Sequence, residues 1–154
     1  MEDQQNRITT ENFLPTRKQL EREIAHRFQA FHRQKIGSSP KKVSCTIFDN
    51  YLVVTVEEAI SPVELALNEG GQTDVANQIR SNLDRILKQE IDKIVRETVG
   101  IAVNQCVGEL NLQTEAFIAL VVLEQSPVLR VKRKSFSTSN KNYRSDTATL
   151  AIQE

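Results

Sequence analysis

Two short runs, residues 43–48 and 51–56, constrain this chain more than any other feature. Both are rich in β-branched residues. Asp49-Asn50 joins them, and both residue types tolerate the left-handed backbone that a tight hairpin turn needs. The register follows from the side chains alone. If Phe48 faces Tyr51, then Ile47 faces Leu52, and Val43, Cys45, Ile47, Leu52, Val54 and Val56 form one wholly apolar face. The opposite face holds Ser44, Thr46, Phe48, Tyr51, Val53 and Thr55. A slip of one residue would mix the two sets, so the pattern specifies an antiparallel hairpin with Cys45 on the core side.

A helix precedes the hairpin. Thr16 and Gln19 have capping-box spacing, and Leu20, Ile24, Phe28 and Phe31 recur at helical intervals. Gly37 closes that helix, and Ser38-Ser39-Pro40 turns the chain out of it. After the hairpin, Ser61-Pro62-Val63-Glu64 opens a second, short helix: Ser61 caps, Pro62 suits the first helical position, and Glu64 stands where a capping-box carboxylate belongs. Gly70-Gly71 breaks it. A long helix then runs from about residue 74 to residue 99, with the stripe Val75, Ile79, Leu83, Ile86, Leu87, Ile91, Ile94, Val95 and Thr98, and Gly100 ends it. Two further strands are expected at 101–108 and 116–123, with 109–115 as their turn. The last strand is apolar on both faces, as a strand covered on both sides is.

The order is helix, hairpin, two helices, hairpin. It predicts an α+β fold with a four-stranded, mainly antiparallel sheet and the helices packed on one face. Strand order does not follow from the sequence. Residues 1–15 read as an irregular N-terminal segment, 16–125 as the domain, and 126–154 as a basic, disordered tail.

Length gives a reason to expect a partner. A helix of about 25 residues spans roughly 37 Å, whereas strands of seven or eight residues cover about 25 Å. The long helix must therefore bend, or overhang the sheet and pack on another chain. Phe48, Tyr51 and Val53, with the outer face of the last strand, also lack an obvious cover. Apolar patches of that kind mark interfaces, and a homodimer is the expectation.

The 20 Lys+Arg and 20 Asp+Glu cancel, but they are segregated. Residues 17–42 carry eight basic groups against two acids, 49–74 carry six acids and no base, and 127–145 carry six basic groups and no acid. Such blocks can steer partners of opposite sign. The polar, acidic N-terminus does not read as a secretory signal, and Cys45 and Cys106 have neither Cys-x-x-Cys nor metal spacing. Reduced thiols and a cytoplasmic location are the expectation.

No catalytic, cofactor-binding or metal-ligating constellation emerges. His26 and His32 lie six residues apart on one helix and point in different directions. Glu57-Glu58 project to opposite faces of a strand. Gly70-Gly71 lacks the Lys-Ser/Thr of a phosphate loop. The expectation is therefore a non-enzyme with no cofactor. Its candidate partner contacts are Phe48, Tyr51, Val53 and Glu64, together with Lys132, Arg133 and Lys134 in the tail. Those basic residues with the aromatic sheet face leave nucleic-acid binding as an alternative, although no RNP-like or GXXG motif is present. A small-ligand sensor is a second alternative.

One resemblance ties these features together. A helix leads to the Gly37–Pro40 turn, then to a Val-x-x-x-Ile-x-Asp-Asn hairpin from Val43 to Asn50 and the strand Tyr51-Leu52-Val53-Val54-Thr55-Val56. Ser61-Pro62-Val63-Glu64 with Leu67 follows, then a long charged helix ending in Val99-Gly100-Ile101, then a terminal apolar strand. Over about residues 17–123 this resembles the MpsC-like family, named for a component of a cation-translocating, membrane-potential-generating system in bacteria. Members often read Thr-Pro where Ser61-Pro62 stands, and Gly-x-Gly-Pro where Gly37-Ser38-Ser39-Pro40 stands. The resemblance supplies no catalytic residues. It implies an accessory or regulatory protein of a membrane-potential-generating or inorganic-carbon/cation transport system, in contact with a membrane transporter subunit and peripheral to the inner membrane face.

Overall fold

A computed structural model describes residues 13–131. Residues 1–12 and 132–154 lie outside it, and with them Lys132, Arg133, Lys134 and most of the tail.

Helix α1 (Arg17–Phe31) begins at the expected capping box: the Gln19 amide donates to Thr16 Oγ1 at 3.2 Å, and the Thr16 amide donates to Gln19 Oε1 at 2.8 Å. Leu20, Ile24 and Phe28 are its buried stripe. It does not run as a plain α-helix to Gly37. One wider π turn, His32–Ile36, intervenes, and the Gly37 amide bonds back to the His32 carbonyl at 3.1 Å with φ at 77°. Within that turn His32 is buried, its ring edge-on to Phe28 at 5.5 Å.

Strands β1 (Lys42–Phe48) and β2 (Tyr51–Glu57) pair in the register that side-chain sorting dictates, Phe48 opposite Tyr51 and Ile47 opposite Leu52. Of the two turn residues, Asp49 takes the positive φ, at 50°. Helix α2 (Pro62–Glu69) starts at the Ser61/Glu64 capping box, and helix α3 (Thr73–Val99) ends at Gly100, with φ at 74°. Strands β3 (Val103–Asn111) and β4 (Ala116–Leu123) complete a wholly antiparallel sheet of order β1-β2-β4-β3.

Strand β3 runs three residues past its expected end. It also starts two residues later than expected, at Val103, where a register shift between Val103 and Gln105 interrupts the alternation. Beyond Gly108, Leu110 pairs with Phe117 and is buried. The turn is correspondingly short. Asn111 Oδ1 accepts from the amides of Gln113 and Thr114, and Glu115 enters β4 with φ at 54°.

The core lies between one sheet face and the helices. Cys45, Ile47, Leu52, Val54, Val56, Phe117, Ala119, Val121 and Leu123 meet Leu20, Ile24 and Phe28 of α1 and Leu87, Ile91, Ile94 and Val95 of α3. The predicted α3 stripe holds in the C-terminal half only. In the N-terminal half Ala76 is buried, while Val75 and Ile86 are 41% and 40% exposed. Arg80 and Asp84 share the inner flank there, bonded to each other. At 27 residues α3 is about 40 Å long, and it packs against α1, α2 and β3.

Candidate interaction surface

The sheet face away from the helices is built by alternation. Every second residue of β1, β2, β4 and β3 points there, and the register stacks them in rows. Phe48, Tyr51, Val122 and Gln105 form one row; Thr46, Val53, Leu120 and Val107 the next; Ser44, Thr55, Ile118 and Glu109 the third. Phe48, Val107 and Ile118 are between 46% and 49% exposed. The Phe48 and Tyr51 rings stack at 6.0 Å, and the Ser44 and Thr55 hydroxyls bond to each other across the strands. A sheet face turned to water normally carries polar residues at such positions. Here β4 contributes Ala116, Ile118, Leu120 and Val122, all apolar.

Three of the predicted contact residues, Phe48, Tyr51 and Val53, thus meet on one surface. The sequence did not show that Val107 joins them, because its placement depends on β3 lying outside β4. Charge is sparse on this face: Lys42 and Glu57 oppose each other at one end, and Glu109 lies in the third row.

Both strand edges are partly occupied by helix side chains. On β1, Glu21 Oε1 accepts from the Ile47 amide at 2.9 Å. At the start of β3, Arg96 Nη2 donates to the Val103 carbonyl at 3.1 Å while its Nε holds Asp92 at 2.7 Å.

Glu64 does not join the sheet face. It is 3% exposed on the helix side, and both its oxygens are engaged. Oε2 accepts from the Ser61 amide and hydroxyl, and Arg80 reaches both oxygens. Burial pushes its carboxyl up, but the bonds from Arg80 and Ser61 outweigh that and hold it below its ordinary value. Asp84, on the same guanidinium, is raised by burial. The cluster borders a small cleft of about 190 Å³ that Asn68, Asn77 and Leu110 help to line. A wider groove of about 560 Å³ lies between α1 and the end of α3, where Arg27 bonds Glu97 and Thr98.

The two histidines part company: His26 is exposed and His32 is 1% exposed. Burial, then the charge of Arg80, lowers His32 to about 4. Cys45 and Cys106 lie on opposite edges of the sheet, both as free thiols. Three strand spacings separate the edges by about 14 Å, twice what a disulfide spans. Among the described residues, no group of three or more His, Cys, Asp or Glu side chains is placed to hold a metal ion. No described helix is long and apolar enough to cross a membrane.

A family model matches residues 16–125, and its description is a Na+-translocating membrane potential-generating system (MpsC). No curated protein and no solved structure matches the chain.

Proposed function

The chain belongs to the MpsC family, and from that premise we propose that it is a non-enzymatic accessory or regulatory protein of a membrane potential-generating system, acting by contact with other protein chains. The observation that carries this reading is the outward-facing apolar sheet surface. Residues that a folding core would normally consume stand in water at Phe48, Val107 and Ile118. Surface of this kind gains free energy when another protein covers it. On this reading the protein works in the cytoplasm at the inner face of the membrane and meets a transporter component there.

The test is genetic and electrical. Deleting the gene in its native host should lower the membrane potential reported by a voltage-sensitive dye, and the intact gene should restore it. The tagged protein should retain a membrane transport component through gentle detergent extraction. An unchanged potential, with no membrane component retained, overturns the reading.

A further inference from the structure

The open sheet face is self-complementary, and we infer that a second copy of this chain covers it, sheet against sheet. This rests on the contact-based function above and names the occupant of one of its surfaces. Three observations point to a second copy.

The first is charge. In a two-fold interface each residue meets the same surface it belongs to, so a patch with net charge meets its own sign. The two rows from Phe48 to Gln105 and from Thr46 to Val107 contain no charged residue. Hydroxyls and an amide flank the apolar centre at Thr46, Ser44, Thr55 and Gln105, and these can donate and accept across the axis. Lys42 and Glu57, at the far end, oppose each other with opposite sign, and Glu109, on the marginal strand β3 in the third row, is the remaining charge of these rows.

The second is area. Four strands at about 4.8 Å spacing and about 25 Å length give a face of about 480 Å² in plan. Two such faces remove about 960 Å² before side-chain relief is counted, and that relief brings the total toward the roughly 1,200 Å² at which specific pairs begin. Sheets packed face to face also have a natural solution, aligned within about 30°, with inner side chains interdigitating.

The third is the obstruction of the alternative. Joining two sheets edge to edge needs free backbone groups along a margin. Glu21 takes the Ile47 amide on one margin, and Arg96 takes the Val103 carbonyl on the other. Among the described residues, no side chain from the helices takes up the face in that way.

The experiment is light scattering coupled to size exclusion on the full chain across the micromolar range, with Ile118→Lys, Val107→Lys and the control Ile86→Lys. Ile118 and Val107 are already half exposed, so a lone protomer accommodates a lysine there, and circular dichroism checks that each variant keeps the native spectrum. The expected result is a mass of two chains for the native protein and for Ile86→Lys, and of one chain for folded Ile118→Lys and Val107→Lys. A native protein that stays at one chain's mass overturns the inference. So does a pair that survives both sheet-face lysines. The membrane-potential measurement is separate: a two-chain protein whose deletion leaves the potential unchanged defeats the proposed function and leaves the pairing intact.

Discussion

Arg80 grips Glu64 with two guanidinium nitrogens, Nε to Oε1 and Nη2 to Oε2, each at 2.6 Å. The same guanidinium donates to the Ala59 carbonyl and to Asp84. One side chain of α3 thereby locks the start of α2 to the exit of β2. Neither partner is well solvated, their side chains being 12% and 4% exposed. Removing one leaves the other's charge buried and uncompensated. Arg80→Met is expected to cost about 3–5 kcal/mol in urea unfolding, and Glu64→Leu combined with Arg80→Met less than the two single losses added. Strict additivity would show that the pair is not coupled.

The same pair sets an acid limit. Glu64 is held below its ordinary value of 4.5, so the folded state keeps the carboxylate at pH values where the unfolded chain has taken up a proton. Its contribution is complete above that value and is lost as pH falls through the lowered one. In Glu64→Gln, the loss of stability below pH 4.5 should be shallower than in the native protein.

His32 acts in a higher window. Its two ring nitrogens are buried with no hydrogen-bond partner among the described residues, and its pKa is lowered from 6.5 to about 4. Between those values the unfolded chain binds the proton and the folded chain does not, so stability rises with pH. At about 1.4 kcal/mol per unit, up to about 3 kcal/mol disappears as pH falls from 6.5 toward 4. His32→Leu should flatten this slope and, by removing unpaired polar atoms, raise stability by about 1–2 kcal/mol at neutral pH. Unfolding curves at pH 7.5 and pH 5 measure both effects, and an unchanged slope would refute the assignment.

Gly108 is held by a packing contact. A Cβ there would stand 2.8 Å from Phe117 Cζ and 3.1 Å from Ala119 Cβ. Gly108→Ala is expected to destabilise by about 1–3 kcal/mol through overpacking, and Phe117→Leu in the same chain should recover part of that loss. Thermal melting of the single and double variants decides it.

The thiols should be slow. Burial, then the charge of Glu21, raises Cys45 to about 12, and burial, then Asp92, raises Cys106 to about 11. A disulfide-exchange reagent at pH 8 should label the native protein at a small fraction of the rate it shows in urea. Half-buried Cys106 should react before Cys45, and oxidant should produce no intrachain bridge.

Sequence patterning located some elements to the residue and misplaced others, for identifiable reasons. The β1–β2 register was legible because only one pairing separates Cys45, Ile47, Leu52 and Val54 from Thr46 and Tyr51. Both capping boxes were legible because their partners lie three residues apart. Arg80 was not, since its partner is sixteen residues away and nothing local announces a buried guanidinium. Its presence is also why the α3 stripe was read one residue off in the first half: Val75 and Ile79 look like core until Ala76, Arg80 and Asp84 are seen on the inner flank.

The interaction surface was half legible. Phe48, Tyr51 and Val53 follow from the hairpin register, and the two-faced apolar character of β4 signals a second cover. The juxtaposition of these strands with Val107 depends on the order β1-β2-β4-β3, which no periodicity encodes.

That order has a consequence for biosynthesis. Translation delivers the N-terminal elements first, yet β4, the last of the four sheet strands to be made, is the spine that joins the two outer halves. Until Leu123 has left the ribosome, the first hairpin and all three helices lack their central neighbour, and Phe117, Val121 and Leu123 are missing from the interior. The nascent chain must therefore wait with its oily side uncovered, and any message truncated upstream of that codon yields a product without a keystone.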